Sequence, residues 1–148
     1  MWFKDWLDKK NQPRPAAPEH LKILVLSTAI GERFLLEQLG QQHHWDLCFT
    51  ESPREGFNLA SRSHFDLILC DRDQPGYPWR EVMDRLAANA PKSCILLLSP
   101  VKDYYLWRDV LQRGGYDVLL RPLREKAVLL SIDAAVHFVS PEARYCSR

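Results

Sequence analysis

Three stretches of this chain are apolar almost without interruption: residues 21–26 (LKILVL), 65–70 (FDLILC) and 94–98 (CILLL). A strand with one wet face alternates apolar and polar residues, so runs of this kind belong to strands covered on both faces, as in a parallel sheet. The segments between them carry helix signals, with Pro53 in a first turn and Gly114-Gly115 after a last one. Read in order, the sequence predicts strands over 21–26, 46–50, 66–70, 94–98 and 117–120. Helices are predicted over 31–41, 53–63, 78–90, 103–113 and 123–139. Five alternations of strand and helix, joined by right-handed crossovers, give an α/β fold of (βα)5 type, a doubly wound five-stranded parallel sheet between two helical layers.

The rest of the chain consists of extensions. In residues 1–10, Trp2, Phe3, Trp6 and Leu7 share one side of a helix, and Lys4, Asp5, Asp8 and Lys9 share the other. Residues 11–18 contain Pro13, Pro15 and Pro18 and read as an extended linker. The expected organisation is an N-terminal segment with linker over 1–20, one domain over 21–139 and a tail over 140–148. At 148 residues, 46% apolar and 26% charged, the chain can bury one soluble core.

Charge and cysteine usage exclude several classes. Lys and Arg number 20 against 19 Asp and Glu, and no basic block forms, so nucleic-acid binding has no electrostatic basis. No apolar stretch nears the ~20 residues that span a bilayer. Ten amphipathic residues give only marginal affinity for a membrane surface. Cys48, Cys70, Cys94 and Cys146 form no Cys-x-x-Cys, and two of them sit in apolar runs, as expected of a reduced, cytoplasmic chain. His43 and His44 fall in a polar loop, and His20, His64 and His137 are isolated. None has a partner at metal-ligand spacing.

Chemistry would concentrate at Asp71. It follows the run 65–70 and precedes Arg72-Asp73-Gln74-Pro75-Gly76. A strand ending on a carboxylate and turning through Pro-Gly places that carboxylate at the carboxyl edge of the sheet, where open α/β folds bind ligands. Ser27-Thr28 ends the first strand, Ser99 the fourth and Arg121-Pro122 the fifth. This set, spread over roughly 21–139, resembles the phosphoacceptor site of response-regulator receiver domains. The resemblance implies the flavodoxin/CheY-like form of the three-layer sandwich. It implies Asp71 as phosphoacceptor and Ser99 as the hydroxyl that senses a phosphoryl group. Arg121 stands in place of the family's Lys, aimed by a cis bond to Pro122. Ser27 and Thr28 stand where the family has the acidic pair that holds magnesium.

The substitutions carry a chemical consequence. Hydroxyls in place of two carboxylates remove the charge that draws in a hard cation, so magnesium is expected to bind weakly if at all, and no other cofactor is expected. Arg121 keeps a positive charge as a planar fork able to pair bidentately with Asp71. Asp73 is an auxiliary source of acidity. Simpler roles are also open: Ser27 and Thr28 can cap the following helix, and Asp71 can serve the turn.

The leading expectation is a non-enzymatic signalling module that binds a protein, such as a histidine kinase or another regulator, without normal phosphorylation. An active phosphoacceptor is the first alternative. A flavin-binding flavodoxin-like protein is the second, with the loop 27–31 for phosphate and Tyr77 and Trp79 for stacking. The helix 103–113 reads as mostly core packing with an aromatic excess. The resemblance implies the fourth helix, fifth strand and fifth helix as the face for docking or homodimerisation, and here that face carries Tyr104, Tyr105, Trp107, Arg108, Arg124 and Lys126, residue types enriched at interfaces. Trp2 and Trp6 are the rival surface.

Overall fold

The structure, a computed structural model, describes residues 20–138. Trp2, Trp6, the proline linker and the tail lie outside these residues. The strands are β1 (Leu21–Leu26), β2 (Trp45–Thr50), β3 (Leu67–Asp71), β4 (Cys94–Ser99) and β5 (Asp117–Leu120). Between and after them run α1 (Ile30–His43), α2 (Pro53–Arg62), α3 (Trp79–Asn89), α4 (Tyr104–Gln112) and α5 (Glu125–Phe138). All four strand pairings are parallel, in the order β2-β1-β3-β4-β5. This is the flavodoxin/CheY-like sandwich, and its strand order reverses between β1 and β3. Their carboxyl ends flank the crevice where such sheets bind ligands.

The alternation of side chains along each strand divides the apolar residues between two cores. Ile23, Val25, Leu69, Leu96 and Leu98 meet Leu36 and Leu39 of α1 and Val128 and Ile132 of α5. Leu24, Leu26, Ile68, Cys70 and Leu97 meet Phe57 of α2, Met83 and Leu86 of α3 and Val110 of α4. β3 and β4, covered on both faces, are buried at every position. α2 lies so close to β1 that a Cβ on Gly56 would stand 2.6 Å from Leu26 Cδ2.

Two local expectations are corrected, one on the histidines and one on α4. α1 extends through His43, and His44 caps it in the left-handed conformation with φ 60°, so no polar loop holds the two histidines. In α1 the core residues are Leu36 and Leu39, whereas Phe34 is 64% exposed, because the inward face is set by where Gly40 lets the helix approach Leu47. α4 buries only Val110. It covers the β5 end of the sheet, and Tyr104 and Tyr105 remain 60% and 80% exposed.

Burial sets thiol chemistry as well. Burial, reinforced by neighbouring Asp71, pushes the Cys70 thiol up to about 12, and burial with Asp117 pushes Cys94 up as well. A thiol held above its ordinary value stays protonated, and the thiolate is the nucleophile. At mildly alkaline pH a thiol reagent is therefore expected to modify the half-buried Cys48 while leaving Cys70 and Cys94 intact until denaturant is added. Peptide mapping that found Cys70 labelled in the native protein would contradict the packing of β3.

Candidate functional site at the carboxyl edge of the sheet

Arg121 is the first residue after β5. Its backbone N–H donates to the Ser99 carbonyl at 2.8 Å, extending the β4–β5 ladder, and its bond to Pro122 is cis, as the resemblance implies. From there the side chain reaches back across the sheet edge. Nη1 donates to Asp71 Oδ1 at 2.5 Å, Nε to Glu32 Oε2 at 2.5 Å and Nη2 to Glu32 Oε1 at 2.8 Å. Nη2 also reaches Ser27 Oγ at 3.3 Å. One planar fork thus grips Glu32 with two parallel bonds and Asp71 with a third, the geometry that makes arginine–carboxylate pairs strong and directional.

The surrounding groups complete this arrangement. Ser27 Oγ donates to Glu32 Oε1 at 3.3 Å and accepts from the Ala29 N–H at 3.2 Å. Asp71 Oδ1 also accepts the Asp73 N–H at 2.8 Å, so the carboxylate holds its own turn while facing the guanidinium. Gln74 Nε2 donates to the Leu26 carbonyl and ties the loop after β3 to the end of β1. The three charged side chains are only 11–16% exposed. Burial works against the charge on Arg121, yet its bonds to Glu32 and Asp71 raise its pKa above the ordinary value. The guanidinium therefore stays charged at neutral pH.

Some residues singled out from the sequence converge here and others do not. Asp71, Arg121 and Ser27 meet, whereas Thr28 faces solvent. Neither Ser27 nor Thr28 caps α1, whose N-cap is Ala29 with no side-chain bond, because Ser27 is turned toward Glu32. The Asp73 side chain is turned away from the Arg121 fork. It pairs with Arg72 at 3.0 Å and is half exposed. Ser99 is fully buried, but its hydroxyl donates to the Val101 carbonyl at 2.7 Å and accepts the Val101 N–H at 3.0 Å, which turns it into the loop before α4. The flavin reading loses its stacking surface. Trp79 is in the core of α3, and Tyr77 packs edge-on against Phe57 at 5.9 Å.

Glu32 is the residue that sequence reasoning missed. Its only signal was an acidic side chain in the first turn of the helix that leaves β1, a placement usually explained by the helix dipole alone. Among the described residues, no group of three or more His, Cys, Asp or Glu is arranged to hold a metal ion. Away from the edge, Tyr104 packs against Tyr105 at 5.8 Å and Trp107 at 6.2 Å, with Val101 and Leu120 also exposed on the α4–β5–α5 face.

No protein-family model and no curated protein matches the chain. Solved structures do match. The signal receiver domain of an HD-domain-containing protein from Pseudomonas fluorescens superposes with a TM-score of 0.75 at 19% identity, over 90% of this chain and 98% of that one. A CheY-like receiver domain protein from Methanospirillum hungatei gives 0.74 at 15% identity, over 82% and 98%. The chemotaxis response regulator CheY4 of Vibrio cholerae gives 0.71 at 19% identity, over 78% and 98%. The fold is that of response-regulator receiver domains.

If the guanidinium holds the two carboxylates together, Arg121→Met leaves both without a counter-charge. The expected loss of stability in urea unfolding is about 3 kcal/mol, the low end for removing one partner of a buried pair. Adding Asp71→Asn and Glu32→Gln to Arg121→Met is expected to recover most of it. A loss below about 1 kcal/mol, typical of a surface ion pair, would contradict this geometry.

Proposed function

We propose that this domain is a receiver-like signalling module that acts by binding a protein partner and does not take up phosphate in the ordinary way. The observation that carries the reading is the Arg121 fork closed on Asp71 and Glu32. Phosphoryl transfer to an aspartate needs a cation that neutralises developing charge and a carboxylate oxygen free to attack the phosphorus. Here the cation is covalently part of the chain, and the carboxylate is its partner. Magnesium demands several oxygen ligands in near-octahedral order. Among the described residues, the carboxylates that close on this point already serve a guanidinium, and Ser27 and Thr28 bring no charge. The residues present do not fit the ion, and no reaction step is assigned to the domain.

The partner on this reading is a protein of a signalling pathway, a histidine kinase or another regulator, or a second copy of the chain. The α4–β5–α5 face supports it, since Tyr104, Tyr105 and Trp107 are rigid aromatic anchors beside exposed Arg108, Arg124 and Lys126. Such side chains dominate interface energies because they bury large areas with few rotamers to freeze. The rival reading, an active phosphoacceptor at Asp71, draws on Glu32, which returns one carboxylate to the site.

Incubation with a small phosphodonor and magnesium separates the two readings. Intact mass is expected to stay unchanged in both wild type and Asp71→Asn. An added phosphoryl group in wild type that Asp71→Asn abolishes would establish the active switch. For the docking face, Tyr104→Ala with Arg108→Ala is expected to weaken self-association or partner binding in sedimentation at least tenfold, the scale of one or two hot-spot side chains.

A further inference from the structure

At the edge of the sheet opposite Arg121, where β1 and β2 begin, lies a groove of about 280 Å³. Leu21, Trp45, Leu129, Ile132 and Val136 make its apolar wall, and His43 and Asp133 add polar groups. This volume falls just below the roughly 300–1,000 Å³ of small-molecule sites, and few polar groups converge on it. It suits one or two large side chains better than a cofactor. We propose that its occupant is the Trp2–Leu7 segment of the same molecule, folded back onto its own domain.

The place where the described residues begin supports this occupant. Leu21 is both the first residue of β1 and part of the wall, so the preceding chain arrives at the groove itself. Residues 11–20 form the tether. A flexible linker of that length spans about 16–19 Å, and its prolines extend the reach to about 30 Å. Tethering at this range raises the local concentration of the segment to about millimolar, so modest contacts suffice. The spacing agrees as well. On a helix Trp2 and Trp6 stand about 6 Å apart, and Leu129 to Val136 spans about 10 Å of α5, so both rings fit along one wall.

Limited trypsin digestion of the full chain, followed by intact mass, tests the proposal. Cleavage after Lys9 or Lys10 releases the segment, and Arg14 resists because Pro15 follows it. Trp2→Ser with Trp6→Ser, and separately Leu129→Lys, are each expected to speed this release about fivefold or more, while ultracentrifugation reports a wild type whose mass the tryptophan variant does not change. The tryptophan variant leaves the domain's own residues untouched, so the comparison stands even if Leu129→Lys does not fold. Equal release from wild type and the tryptophan variant would overturn the proposal. So would a wild-type dimer that the tryptophan variant dissolves, which would seat the segment on a second copy. Protection that appears only with anionic phospholipid vesicles would also overturn it, by placing the segment on a lipid surface.

Discussion

The guanidinium of Arg121 ties together three strand ends, of which that of β5 pairs directly with neither of the other two in the sheet. It projects from the end of β5, takes Asp71 at the end of β3, and takes Glu32 and Ser27 where β1 passes into α1. A parallel sheet presents its carboxyl edge as a row of loops, and a carboxylate fixed there is costly to bury unless something pairs with it. The internal cation removes that cost for two carboxylates at once. It is gripped by three short charge-assisted bonds, so the loops after β1, β3 and β5 are held in a single mutual arrangement.

That constraint extends outward from the site. Asp71 Oδ1 also anchors the Asp73 N–H, and Gln74 pins the same loop to Leu26, so the turn through Pro75-Gly76 is tied to both neighbours. Ser99 is committed to Val101. A hydroxyl that both donates to and accepts from the next loop has no proton left to offer Asp71. The chemistry of the edge is inward-facing, and the exposed aromatic rings of α4 lie on another face. On the proposed reading as a binding module, recognition falls to that flank.

Much of the fold was legible because its signals are local. Continuous apolar strands, Pro53 at a helix start and Gly114 at a helix end each state their own conformation, and the strand order follows from parallel pairing. Asp71, Ser27 and Arg121 were legible for the same reason: each sits at a strand end that the hydrophobic pattern marks. Glu32 was not, because it lies six residues beyond the strand and 89 positions from its partner Arg121, and only the folded chain brings them together. Asp73 misled because a carboxylate two residues from another suggests shared duty, whereas the turn points it to Arg72 and solvent.

The central claim is that Arg121 permanently fills the place an external cation would take. The Nε–H of Arg121, followed by nitrogen-15 NMR in the full chain, reports on it directly. A hydrogen bonded to Glu32 and shielded in a partly buried pair exchanges slowly with water, and it is expected to remain sharp and unshifted as magnesium is raised through the millimolar range. A saturable shift, or loss of the resonance to fast exchange as magnesium is added, would mean that the ion displaces the guanidinium, and the account of a closed site would be wrong.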